Sequence, residues 1–143
     1  MTTKLILSAL ATLAFSFSSL NAYDLKSNML LLEAELSEVQ RNFITSDMKG
    51  VQESVTRFSK HATELLGNKE KFATMLPKEQ KSKANEAVMA AQIIQHNVEI
   101  IMNEINNKYN HSDKRRREEA QRAYTYIEHA CFRCHNIVRD NTK

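Results

Sequence analysis

Two cysteines and a histidine close to the end of the chain form the group of residues with the clearest chemistry. Cys131, Cys134 and His135 stand in the pattern C-x-x-C-H, which is the attachment signature of a c-type haem. Cysteines three residues apart on a helix share one face, so each sulfur can add to one of the two vinyl groups along one edge of a haem. His135 would then supply the proximal ligand to the iron.

Other kinds of site can use the same residues. A redox-active pair of the thioredoxin type is expected at the start of a helix in a βαβ context, and nothing strand-like precedes Cys131. A zinc site would need two further ligands, and because the chain has only two cysteines it would recruit distant histidines such as His61 or His96. A disulfide between the two cysteines would close a strained small ring. We therefore predict one covalently attached haem c.

The composition favours an all-α chain. Its 143 residues include two glycines and one proline, while 42% are hydrophobic and 26% are charged. So few helix breakers leave little room for the turns that an all-β protein needs, and the length suits a single domain. The formal net charge of +3 is too small and too scattered an excess to indicate nucleic acid as a partner.

The first 22 residues have the pattern of a secretory signal peptide. Lys4 forms a short positive region, residues 5–20 are apolar but diluted by serine and threonine, and Ala22 is a small residue suited to cleavage. The alternative, a retained membrane anchor, calls for a longer uninterrupted apolar run. Export agrees with the haem motif, since c-type attachment is completed outside the cytoplasm. We predict a cleaved signal peptide at 1–22, a mature domain at 23–143 and a periplasmic location.

The spacing of apolar residues predicts four amphipathic helices in the mature chain. Their ranges are about 24–46, 49–66, 77–107 and 113–139. Short connections imply antiparallel neighbours, and therefore an up-down-up-down four-helix bundle with the haem near the end of the last helix. Small residues early in the third helix would leave room for the haem, or would simply allow close packing; they are Ala84, Ala87 and Ala91.

The sixth position of the iron decides what the haem would do. His135 lies about four residues, or ~6 Å, before the end of the fourth helix, and Met29 lies about five residues, or ~8 Å, after the start of the first. In the predicted topology both fall at the same end, so Met29 is the first candidate for the distal ligand. His61, Met75 and an open position are the alternatives, and Met29 could instead be a core methionine.

The remaining polar candidates have weaker claims. His96, His111 and His129 are expected to be solvated or locally hydrogen-bonded, because His111 falls in a loop at the far end and His129 is on a different side of its helix from His135. The basic run Lys114–Arg117 could dock an acidic redox partner, although a solvated helix face is the usual explanation of such a run.

An exported four-helix chain with one C-x-x-C-H motif on its last helix resembles the class II c-type cytochromes, the cytochrome c-prime and cytochrome c-556 group. The resemblance covers the mature chain in architecture, with few specific residue matches. Members commonly carry an arginine four positions after the haem histidine, as Arg139 does here, preceded by an aromatic residue where this chain has Val138. The first-helix residue that faces the iron is methionine in the c-556 type, which Met29 matches, and a noncoordinating apolar residue in the c-prime type.

The resemblance and the predicted ligands together imply a periplasmic monohaem electron carrier, not an enzyme. Its low-spin iron would be bound by His135 and Met29, with Arg139 at the haem edge, which leaves no vacant site and suits outer-sphere electron transfer. Expected partners are periplasmic redox proteins, and pairing into a homodimer, as in many relatives, is left open. The alternative is a five-coordinate, c-prime-like protein that binds nitric oxide or carbon monoxide, with a leucine from residues 30–32 facing the iron.

Overall fold

The computed structural model describes residues 25–139, and all regular secondary structure in this range is helical. The helices are α1 at Leu25–Ile44, α2 at Met48–Leu66, α3 at Lys69–Thr74, α4 at Asn85–Ile105 and α5 at Asp113–Arg139, with a 3-10 helix at Lys78–Ala84 between α3 and α4. The prediction of an all-α chain is confirmed for this part of the protein, whereas the predicted signal peptide at 1–22 lies outside the described residues. Between residues 25 and 139, no helix is both long and apolar enough to cross a membrane.

The connection between the second and third predicted helices differs from the sequence-based expectation. The predicted helix at 77–107 is in fact a 3-10 helix followed by α4, which begins only at Asn85. Residues 78–83 are all polar, so no apolar stripe holds this stretch in an α-helical register. The short helix α3 was not predicted, because six residues are too few to show a periodic pattern. It begins where the Asn68 side chain accepts a hydrogen bond from the Lys71 amide at 2.7 Å.

A tight turn joins α1 to α2. The Asp47 carboxylate accepts a hydrogen bond from the Gly50 amide at 2.9 Å, which caps the first turn of α2. A Cβ added at Gly50 would lie 2.6 Å from Asp47 Oδ2 and 2.8 Å from Asn42 Cγ, so both of these side chains would have to move to admit it. The two helices therefore pack closely from their junction onward.

Three polar side-chain pairs cross from α1 to α2, and we call them the polar ladder. They are Glu35–His61 at 2.7 Å, Glu38–Arg57 at 2.6 Å and Asn42–Ser54 at 3.1 Å. Each step of three or four residues forward on α1 is matched by a similar step backward on α2. This spacing shows that the helices run antiparallel with a fixed register.

The end of α4 is held against the start of α5. Arg116 donates hydrogen bonds to the backbone oxygens of Glu104 and Ile105, both at 2.7 Å, and so satisfies carbonyls that the helix leaves open. The buried Glu104 carboxylate contacts His111 Nδ1 at 3.1 Å, which confirms local hydrogen bonding for this histidine. One member of the basic run Lys114–Arg117 thus has a structural role, while its other three members are exposed.

The buried core lies mainly among α2, α4 and α5, and α1 packs on this group chiefly through α2. α1 approaches α5 at the end near the α1–α2 turn, where the rings of Phe43 and Tyr124 meet edge to face with centroids 5.8 Å apart. At the opposite end of these two helices, a large cavity separates them.

Candidate functional site

The cavity between α1 and α5 is large and mostly apolar. Its volume is about 870 Å³, within the roughly 300–1,000 Å³ typical of sites for small molecules and cofactors. α1 and α5 form its walls, and its floor consists of Phe58, Leu66, Phe72, Ala90 and Ile94. Two further lining residues, Leu30 on α1 and Phe132 on α5, are 55% and 62% exposed, which places the opening between these helices.

The C-x-x-C-H motif lies on the α5 wall of this cavity. Cys131, Cys134 and His135 all line it, as the helical spacing of three and four residues requires for side chains on one face. Cys134 is buried and Cys131 is partly buried, and both are free thiols. The three residues singled out by their spacing therefore face one space that is large enough for a cofactor.

The surroundings of the two thiols keep them protonated. Burial, together with the Glu128 carboxylate, raises the pKa of Cys131 to about 11. Burial raises the pKa of Cys134 to about 11 as well, with smaller contributions from Cys131 and Glu86. A redox-active C-x-x-C pair has the opposite property, because its attacking thiol has a lowered pKa and reacts as the thiolate. The electrostatics thus disfavour the thioredoxin-type alternative.

His135 presents a neutral imidazole at the edge of the cavity. Burial, followed by the positive charge of Arg139, lowers the pKa of this histidine below its usual value near 6.5. The ring is therefore uncharged at neutral pH, which is the form that binds a metal ion. Arg139 follows one turn later on α5 and lines the same cavity.

Met29 lies on the opposite wall. It is partly buried on α1, with Leu25, Leu32 and Leu36 beside it in the cavity lining. The structure thus places a thioether on one wall and the His135 imidazole on the other, at the same end of the molecule. That Met29 binds iron stays a prediction.

The alternative ligands lie elsewhere. His61 lines a separate pocket of about 40 Å³, and its Nδ1 is 2.7 Å from a carboxylate oxygen of Glu35. Met75 packs against the core beside α3, and His96 is exposed on α4. Within residues 25–139, histidine, cysteine, aspartate and glutamate side chains do not gather in groups of three or more that could hold a metal ion.

The small residues at the cavity are not the ones predicted. Ala84, Ala87 and Ala91 are buried, but the α4 residues that line the cavity are Ala90 and Ile94. The prediction assumed one α-helix from residue 77 onward. Ala84 belongs to the 3-10 helix, and within α4 Ala90 and Ile94, four residues apart, share the face that borders the cavity, whereas Ala87 and Ala91 are buried without lining it.

The residues around the cavity fit a covalently attached haem. The space is apolar and of suitable size, two thiols one turn apart face it, and a neutral imidazole and a thioether occupy opposite walls. Comparison with models of protein families, with curated proteins and with solved structures finds no match to this chain. The assignment of function therefore depends on the chemistry of the cavity itself.

Proposed function

We propose that this chain is a periplasmic monohaem c-type cytochrome that carries single electrons between periplasmic redox proteins. The observation that carries the proposal is that Cys131, Cys134, His135 and Met29 all line one apolar cavity of about 870 Å³. The proposal includes removal of residues 1–22 during export, so that attachment takes place outside the cytoplasm.

The proposed architecture is an up-down-up-down antiparallel four-helix bundle built from α1, α2, α4 and α5. Its support comes from side-chain pairs at both ends of the molecule. The polar ladder joins α1 to α2 in antiparallel register. α5 also runs antiparallel to α4. Arg116, near the start of α5, reaches the last turn of α4, while Arg133, near the end of α5, pairs with Glu86 in the first turn of α4 at 3.5 Å. The resemblance to class II c-type cytochromes belongs to this proposal.

Each residue at the cavity has a defined part in this function. Cys131 and Cys134 would hold the haem covalently, His135 and Met29 would be the ligands of its iron, and Arg139 would lie at the haem edge. The bound haem supplies the reversible one-electron chemistry of its iron. Methionine ligation favours the reduced state relative to a second histidine. The apolar floor excludes water from the site, which also disfavours the more highly charged ferric form.

A second candidate function is gas binding. Leu25, Leu32 and Leu36 surround Met29 in the cavity lining, so this wall would remain an apolar pocket if the methionine did not coordinate. The protein would then be five-coordinate, like the c-prime type, and could bind nitric oxide or carbon monoxide. The two candidates share the cysteines and His135, and they differ only in what Met29 does.

Visible spectroscopy separates these candidates. The protein is matured in an oxidising compartment with haem-attachment machinery, and spectra are recorded in both redox states with and without carbon monoxide. We expect a low-spin ferric spectrum, a weak far-red sulfur-to-iron band and no response to carbon monoxide. A high-spin spectrum that shifts with carbon monoxide would support gas binding, and a protein without a Soret band would refute both functions.

A substitution at Met29 tests the distal ligand directly. Met29→Ala should lose the far-red band and become able to bind carbon monoxide, because one wall of the site no longer offers a ligand. Met75→Ala is the matched control, since Met75 is also a partly buried methionine near this end and does not line the cavity. An unchanged low-spin spectrum in Met29→Ala would remove Met29 from the site.

A further inference from the structure

The helix that carries Met29 takes its position from one neighbour. α1 packs chiefly on α2, and its ring contact with α5 through Phe43 lies far from Met29. Between Met29 and the motif on α5 there is the cavity instead of packed side chains. The distance from Met29 to His135 is therefore set by how α1 sits on α2.

The three pairs of the polar ladder differ in burial. The Glu38–Arg57 pair is exposed to solvent, with 41% and 46% of the two side chains accessible. The Glu35 side chain is 8% exposed, and its partner His61 is 35% exposed. Glu35 also belongs to the pair nearest the cavity end, six residues or ~9 Å along α1 from Met29. Solvent screens the exposed pair strongly, so the Glu35 pair has the larger effect on register.

Among the described residues, the Glu35 carboxylate has one hydrogen-bond partner, and the Arg57 guanidinium also acts on it through its charge. Its Oε1 accepts a hydrogen bond from His61 Nδ1 at 2.7 Å, and because a carboxylate only accepts, Nδ1 carries the hydrogen. The other oxygen, Oε2, is buried and has no hydrogen-bond partner within the described part of the chain. A buried carboxylate is costly unless it is hydrogen-bonded, so sliding or rotating α1 away from His61 would remove the one hydrogen bond that Glu35 makes within the described residues. This pair therefore penalises every other register of α1 on α2.

A direct packing connection leads from this pair to the cavity. Leu32, three residues before Glu35 on α1, is buried and lines both the large cavity and the small pocket beside His61. Met29 follows one turn further toward the start of α1. A displacement of α1 at Glu35 thus moves Leu32 and Met29 with it.

We propose that Glu35 and His61 are positioning residues that hold Met29 within reach of the iron. The inference rests on the proposed function, because it requires Met29 to be the distal ligand. The hydrogen bond selects one register of α1 and so determines whether Met29 meets the site. Loss of the bond leaves α2, α4 and α5 packed and releases the start of α1.

The test uses the haem-loaded protein and a substitution that keeps the fold. Glu35→Leu replaces the buried carboxylate with an apolar side chain of similar size, and the partner left behind, His61, is 35% exposed and can hydrogen-bond to water instead. His61→Leu removes the other partner. We expect both variants to lose most of the far-red sulfur-to-iron band and to bind carbon monoxide in the ferrous state, with an unchanged far-UV circular dichroism spectrum. Glu35→Gln keeps an acceptor oxygen for His61 and should restore the band.

The matched control is Glu38→Leu, which breaks the exposed pair one turn away and should keep the wild-type band. The inference fails if Glu35→Leu retains the full band, or if Glu38→Leu loses as much of it. A purely structural role would lower the unfolding midpoint without changing iron ligation. If the wild-type protein itself lacks the band, the ligand assignment of Met29 fails; if the wild type has the band and Glu35→Leu keeps it, only the positioning role fails.

Discussion

Enlarging Ala90 should have opposite effects on the haem-free and haem-loaded protein. Ala90 is buried on α4 and lines the cavity, so a leucine at this position places three additional carbon atoms inside the cavity. In the haem-free chain these carbons fill empty apolar space and should raise the free energy of unfolding by about 2 kcal/mol, at about 0.8 kcal/mol per buried carbon. In the loaded protein they compete with the haem for the same volume, and overpacking should cost about 1–3 kcal/mol.

Urea unfolding followed by far-UV circular dichroism measures both effects. The haem-free form is the Cys131→Ala/Cys134→Ala chain produced without haem-attachment machinery, and Ala90→Leu is introduced into it and into the loaded protein. Ala87→Leu is the matched control, because Ala87 is fully buried on the same helix and does not line the cavity. It should destabilise both forms. If Ala90→Leu destabilised the haem-free chain as Ala87→Leu does, the cavity would not exist in solution.

Two further predictions concern the rest of the fold. Arg116→Ala should lower the free energy of unfolding by about 1.5–3 kcal/mol, because it removes two charged hydrogen bonds from the last turn of α4. The control is Arg115→Ala, at an exposed position, which should change this free energy by less than about 0.5 kcal/mol in the same denaturant titration. Burial and the hydrogen bond from the Tyr124 hydroxyl to Glu128 raise the pKa of Tyr124, so an ultraviolet titration should show one tyrosine that ionises later than a phenol in water. That late step should be absent from Tyr124→Phe, and its persistence would contradict the assignment.

The long helices could be predicted from the sequence because their apolar stripes are continuous. Cys134 and Val138, four residues apart on the last helix, share one face and are both buried. Met29 was placed at the level of the motif from helix lengths alone, and it does line the same cavity as His135. Where a stripe persists for five or more turns, its period determines both the helix and the face that it buries.

Two features could not be predicted in this way. The first is the part of α4 that borders the cavity, Ala90 instead of Ala87, because the packing of α4 against its neighbours determines it and the apolar spacing does not. The second is Glu35, a charged residue between the apolar positions of α1, which is nevertheless buried. The sequence carries no local signal for that burial, because its compensating partner His61 is 26 residues away. Polar pairs between residues far apart in the sequence can be identified only once the packing of the helices is known.

In the proposed cytochrome, the division of the site between α1 and α5 would determine the order in which haem attachment and methionine ligation take place. Both thiols and His135 belong to α5, which is packed firmly against α4, while Met29 belongs to the helix with the fewest neighbours. Because α1 is held chiefly by α2, it could move outward without loss of the packing between α4 and α5. Both sulfurs would then be accessible to an attachment enzyme while α5 remains packed on α4. When α1 returned to its place, the site would close, and Met29 would become a ligand only after the haem had been attached.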